Sequence, residues 1–289
     1  MFAKKNKNQN DIAMTLKNFS GLLLFLLSVS LPAHAATVDT LQIRSEKMNR
    51  NIPCIVISPD IRPGNSSPVL YLLHGHGGNH RSWITTQPDL PRLADQYGMI
   101  IVCPDGRNNW YWDSPLHADS QFETFVSQEL TDYIDRNYPT IQDRSGRAIT
   151  GLSMGGHGAM WLAIRHQEIF GAAGSTSGGL DIRPFPDNWN LKEHLGERDE
   201  NQDRWDNHTV INQLDKLENG RLALIIDCGY SDFFLEVNNQ FHQQLLNQGI
   251  DHDYIVRPGG HNGDYWKNAI DYQLLFFNKF FNATAKNTK

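Results

Sequence analysis

Gly151-Leu152-Ser153-Met154-Gly155, extended by Gly156, follows a short apolar run and opens a helical stretch. These are the residue types that raise a nucleophile. A serine on a tight strand-to-helix turn has a strained backbone, and glycines two before and two after it let the strand and helix approach closely. The hydroxyl then stands in solvent at a helix N-terminus, where the Met154 N–H faces any oxyanion formed beside it. Taken alone, the pentapeptide also fits an ordinary glycine-rich turn, so its partners must decide.

A serine nucleophile needs a base, an acid to orient that base, and a second oxyanion donor. Among twelve histidines, His261 stands in Pro258-Gly259-Gly260-His261, between the final strand-like run and the final helical pattern. Its two glycines let the loop bend toward the sheet. Asp227 and Asp232 flank Cys228-Gly229-Tyr230-Ser231 and both qualify as the acid. Asp227 sits at a strand end, where it could brace the turn. Asp232 lies beyond the glycine and can reach a histidine Nδ1–H, so it is favoured, although it also suits a helix N-cap. The oxyanion loop is Leu72-Leu73-His74-Gly75-His76-Gly77-Gly78-Asn79, with the backbone N–H of His76 as donor. A zinc reading of His74 and His76 lacks a third ligand in a matching context, so no metal or cofactor is expected.

These residues need a frame that brings several strand ends together. Strand-like runs are expected at Ile52–Ile57, Val69–Leu73, Met99–Cys103, Ala148–Leu152, Gly171–Ser175, Leu222–Cys228 and Asp253–Arg257. Several are continuously apolar, as strands buried on both faces are. Helical spacing is expected over Gln121–Asn137, after Ser153, over about Phe233–Gln248 and over Tyr265–Phe281. The alternation implies an α/β fold, a mostly parallel sheet with helices on both faces. Asp181–Gly220, polar and rich in Asp, Asn and Trp, reads as an insertion over the C-terminal edge of the strands.

With their order kept, His74-Gly75-His76-Gly77-Gly78, the turn at Ser153, Asp227 to Asp232 and Pro258 to His261 resemble the putative-esterase family of α/β-hydrolases. That family includes S-formylglutathione hydrolases, mycolyltransferases, and the feruloyl and acetylxylan esterases of carbohydrate esterase family 1. The resemblance covers nearly all of the chain after its leader. It implies an α/β-hydrolase fold, a Ser153–Asp232–His261 triad, and backbone oxyanion donors at Met154 and His76.

Aromatic residues crowd the loops at the same ends: Trp110 and Trp112 after one strand, Trp189 in the insertion, Tyr230 beside the acid, and Trp266 after His261. Half of such rings would ordinarily be core, but as a cluster they suit an aromatic acyl group or a sugar face. These five are the expected substrate contacts.

Residues 1–35 read as a bacterial signal peptide. Lys4, Lys5, Lys7 and Lys17 precede the apolar run Gly21–Leu31, which is too short for a membrane anchor, and Ala33-His34-Ala35 has the form of a cleavage site. Translation could start at Met1 or Met14. Residues 36–289 are then expected as a single catalytic domain, secreted or periplasmic. The formal charge is −6, and becomes −9 once four lysines and one aspartate leave with the leader, so nucleic acid is a poor partner. Cys54, Cys103 and Cys228 fall within strand-like runs and read as core residues rather than a disulfide framework.

The expectation is an exported serine carboxylesterase that removes feruloyl or acetyl groups from a plant-type polysaccharide or oligosaccharide. The alternatives are an acyltransferase of the mycolyltransferase type, a general short-chain esterase or thioesterase, and a non-catalytic carbohydrate-binding protein on the same scaffold. The last would need a triad member missing.

Overall fold

Apolar side chains alternate in direction along the central strands, and the alternation builds two cores. Cys54, Val56, Tyr71 and Val102 face one side of the sheet, whereas Ile55, Ile57, Leu70 and Ile101 face the other. The structure, a computed structural model, describes residues 35–287. The expected leader, apart from Ala35, therefore lies outside the described residues.

The sheet has eight strands: β1 (Thr37–Ser45), β2 (Arg50–Ser58), β3 (Val69–Leu73), β4 (Ile100–Pro104), β5 (Arg147–Gly151), β6 (Ala172–Thr176), β7 (Ala223–Gly229) and β8 (Asp253–Arg257). Their order is β1-β2-β4-β3-β5-β6-β7-β8. β1 pairs with β2, and β2 with β4, in antiparallel fashion, and every other pairing is parallel. This is the α/β-hydrolase architecture, with helices packed on both faces.

Short helices α1 (Ser82–Thr86) and α2 (Leu90–Tyr97) follow β3. A continuous helical stretch then runs through α3 (Phe122–Thr124), a π-helical segment Phe125–Leu130 and α4 (Thr131–Asn137). α5 (Met154–Arg165) follows the Ser153 turn. The insertion holds α6 (Leu191–Leu195), α7 (Gln202–Asn207) and two 3₁₀ turns. α8 (Leu235–Asn247) precedes β8, and α9 (Gly263–Asn287) closes the chain. α2 and α9 cover one core through Leu93, Ala94, Ile270 and Phe277. α5 and α8 cover the other through Ala159, Met160, Phe241 and Leu245.

The seven expected strands lie within two residues of their observed bounds. β1, α1 and α2 were not anticipated. Thr37–Thr40 of β1 are all exposed, so that edge strand carries little apolar signal. The three cysteines are buried and unbridged, as core residues. Among the described residues no helix is long and apolar enough to cross a membrane.

Candidate active site

Four loops converge on one end of the sheet, each leaving the C-terminal end of a parallel strand. Ser153 sits between β5 and α5 with φ 56° and ψ −118°, outside the regions ordinary residues adopt. Such a conformation costs on the order of 1–3 kcal/mol and is held by its surroundings. Here the Ser153 N–H donates to the Thr176 carbonyl (2.9 Å), and the Gly155 N–H donates to Leu152 (2.7 Å). A Cβ on Gly155 would run into the carbonyl oxygens of Leu73 and His74. Only glycine lets α5 start this close to the end of β3.

His261 Nε2 lies 2.9 Å from Ser153 Oγ, and its Nδ1 lies 3.0 and 2.9 Å from the two carboxylate oxygens of Asp232. The Asp232 side chain is wholly buried, while that of His261 keeps 15% of its surface exposed. Asp232 Oδ1 also accepts from the Phe234 N–H (2.8 Å), so the carboxylate is fixed by its own turn as well as by the imidazole. A carboxylate that accepts Nδ1–H leaves the Nε2 lone pair toward the serine hydroxyl, which is the tautomer a general base needs.

Asp227 is held elsewhere. It is buried, bonded by Arg257 and by the Tyr265 hydroxyl across the β7–β8 edge. Burial raises its pKa, with those two donors opposing the rise. Of the two candidate acids, Asp232 is the one beside His261, and Asp227 braces the strand end.

The loop expected to hold the oxyanion is stiffened from below. The Gly106 N–H donates to His74 Nε2 (2.8 Å), so the proton of this imidazole is on Nδ1, facing the Gly75 carbonyl at 2.7 Å. The Tyr111 hydroxyl donates to the His74 carbonyl (3.1 Å). His74 is thus a buried strut, and among the described residues no group of three metal-ligating side chains occurs. His76 Nε2 meets Asn190 Oδ1 of the insertion at 2.7 Å. Among the described residues neither the His76 N–H nor the Met154 N–H has a protein hydrogen-bond partner. Both remain available to an oxyanion.

A cleft of about 370 Å³ opens over Ser153 and His261, bounded by the Gly75–Gly78 loop, Ser82, Thr86, Leu152, Trp189 and Trp266. Two of the five expected aromatic contacts, Trp189 and Trp266, are therefore in the wall. Trp110 and Trp112 lie outside the cleft lining, at 1% and 0% exposed. Positive φ at Arg107, Trp110 and Tyr111 turns this loop inward, and its rings stack beneath the insertion. The Trp110 Nε1–H donates to the Trp189 carbonyl (3.1 Å), and the Trp112 Nε1–H donates to buried His157 (2.9 Å). Trp110 thereby supports the cleft wall from behind. Tyr230 is 58% exposed and lies outside the cleft lining.

Sequence reasoning missed Phe233, Ser82 and Thr86. Phe233 lies against His261 and is also stacked with Trp189, at 5.5 Å. Its one signal was an apolar ring directly after the candidate acid, on a turn where polar residues are usual.

A family model described as "Putative esterase" matches residues 45–277. The chain belongs to the putative-esterase family. This esterase is 27% identical over 249 residues to an acetyl esterase of Caldicellulosiruptor saccharolyticus, covering 78% of this chain and 92% of that protein. A solved ferulic acid esterase is 29% identical with a TM-score of 0.73, covering 86% of this chain and all of that one. The substrate-bound fluorophosphonate-binding serine hydrolase F of Staphylococcus aureus has a TM-score of 0.76 at 20% identity, covering 85% and 99%, a likeness of fold. The esterase spans 51% of the length of its Mycobacterium tuberculosis esterase relatives. By family it is a carboxylesterase-type hydrolase.

Proposed function

We propose that the esterase works through an acyl-enzyme on Ser153, with His261 as general base and acid, Asp232 as the orienting carboxylate, and the Met154 and His76 N–H groups as the oxyanion hole. The observation that carries this reading is the unbroken line Asp232–His261–Ser153, with its closest contacts at 2.9 Å. Ser153 Oγ attacks the ester carbonyl while His261 Nε2 takes the hydroxyl proton. The carbonyl electrons move onto an oxygen facing the two free N–H groups, each worth about 3 kcal/mol in such a site. Collapse expels the alcohol, which receives the proton from His261. Water then repeats the sequence on the acyl-enzyme and releases the acid.

The substrate we assign is a feruloyl or acetyl ester of a plant-type polysaccharide or oligosaccharide. A short cleft with Trp189 and Trp266 in its wall suits a planar or small acyl group better than a long alkyl chain. The names of the acetyl esterase and ferulic acid esterase relatives point the same way. Residues 36–289 act in this reading as one catalytic domain, exported by the leader to the periplasm or the medium.

An activated fluorophosphonate should label Ser153, and Ser153→Ala should lose both labelling and turnover. Full hydrolysis of p-nitrophenyl acetate by Ser153→Ala would sink the mechanism. Turnover of that ester alongside none of methyl ferulate or acetylated xylan would sink the substrate assignment.

A further inference from the structure

A second cavity of about 370 Å³ adjoins the catalytic cleft, between the start of β2, the loop after β4 and α6. Arg50, Arg107, Asn109, Asp119, Glu193 and His194 are among its lining residues. One hydrogen bond separates it from the chemistry: the Gly77 N–H, in the catalytic cleft wall, donates to Asn108 Oδ1 (2.7 Å), and Asn108 lines the second cavity.

Its polar groups are incompletely used. Among the described residues neither Arg50 nor Arg107 joins an ion pair, and the Arg50 guanidinium meets the thioether of Met48 at 3.6 Å and lies over the Phe122 ring at 5.5 Å. Burial, and then the charge of Arg107, lowers the Arg50 pKa, as expected of a half-buried guanidinium facing a second one. Arg50 Nε, His194 Nδ1 and Asn109 Oδ1 are buried without a partner, and Asn109 as a whole is 1% exposed. His194 Nε2 meets the Asn108 carbonyl at 3.1 Å, so it carries the proton and leaves Nδ1 as an acceptor. Buried polar atoms left unpartnered are expensive, and the two guanidinium groups of the lining stand without an ion pair.

We propose that this cavity is a subsite for a uronate, the carboxylate-bearing sugar of an acidic polysaccharide. Two guanidinium groups match one carboxylate, which Arg engages through paired N–H donors. Asp119 and Glu193 in the same lining disfavour a dianion such as phosphate, yet they accept from sugar hydroxyls. The ligand is thus a monoanion rich in hydroxyls. The assignment rests on the polysaccharide reading of the active site and narrows it to chains that carry acidic branches.

The test is binding to Ser153→Ala protein by calorimetry, using three probes: xylotriose with one glucuronosyl branch, unbranched xylotetraose, and inorganic phosphate. The expected result is about tenfold tighter binding of the acidic oligosaccharide than of the neutral one, the size of one charge-assisted pairing. That preference should vanish in Arg50→Met and in Arg107→Asn. Asn tolerates the positive φ of 49° at position 107, and this exposed loop position keeps the test open if Arg50→Met folds poorly. Equal binding of the two oligosaccharides, no binding of the acidic one, tighter binding of phosphate, or a preference that survives both substitutions would each overturn the assignment. Because these probes carry no ester, that failure leaves the hydrolytic reading standing. Wild-type protein inert toward saccharide esters would overturn the polysaccharide reading without touching the binding result.

Discussion

Phe233 lies against His261, with ring centroids 4.2 Å apart and planes tilted by 35°. Trp266 meets the same imidazole edge to face at 5.0 Å, and Phe234 does so at 5.4 Å. The imidazole is therefore located by three rings as well as by its hydrogen bonds. Offset and edge-to-face contacts of this kind are each worth about 0.5–1.5 kcal/mol beyond burial.

Removing the most exposed of these rings should loosen the imidazole without removing it. Phe233→Ala is expected to lower kcat on a short ester by about tenfold through misplacement of the imidazole, and Phe233→Tyr should restore it. Steady-state kinetics of both variants checks this, and equal losses in the two would show that ring packing is not the cause.

Asp232 and Asp227 should separate cleanly under the same substitution. Asp232→Asn is expected to lower kcat by about four orders of magnitude, because an amide facing Nδ1 favours the wrong tautomer. Asp227→Asn should act on stability instead, because it leaves half-buried Arg257 without its charge partner, at a cost of about 1.5–3 kcal/mol. Paired kinetics and denaturant unfolding distinguish the two outcomes.

Acid should weaken the fold well before carboxylates titrate. His157 is fully buried, accepts from Trp112 at Nε2, and faces the Gly179 carbonyl through Nδ1. Burial, only partly offset by the Gly179 bond, lowers its pKa to about 3. A depressed pKa means the unfolded state takes up the proton first, so stability is full above pH ~6.5 and falls as pH drops toward 3. His208, lowered chiefly by burial, adds in the same direction. Between pH 6.5 and 5 the loss from His157 alone should be about 2 kcal/mol. Urea unfolding across that range is the measurement, and His157→Gln should flatten the slope while costing about 1–3 kcal/mol at pH 7.

Two glycines should respond very differently. Gly155→Ala is expected to cost at least about 3 kcal/mol or to prevent folding, because the new methyl group meets the rigid backbone of Leu73 and His74. Gly263→Ala, with open space around it at the start of α9, should stay within about 0.5 kcal/mol of wild type. Thermal unfolding of both, side by side, is the check.

The strand-end residues were legible in the chain because their chemistry has local signatures. Continuous apolar runs mark strands buried on both faces, and glycines around Ser153 and before His261 mark sharp turns at strand ends. The order serine, acid, histidine also survives in one dimension. What the chain left open was which partners meet. Asp227 and Asp232 are the same residue type five positions apart, and only the packing of Arg257 and Tyr265 against one of them leaves the other for His261. The aromatic loop misled for a related reason: Trp110 and Trp112 read alike whether they face a ligand or the core. Positive backbone dihedrals and the insertion above them turn both inward, leaving the cleft to Trp189 and Trp266, with Phe233 stacked beside it. Local sequence determines where the chain turns and what chemistry each turn carries. Which face of a ring or carboxylate is used is decided by long-range packing, because burial depends on neighbours that are distant in the chain.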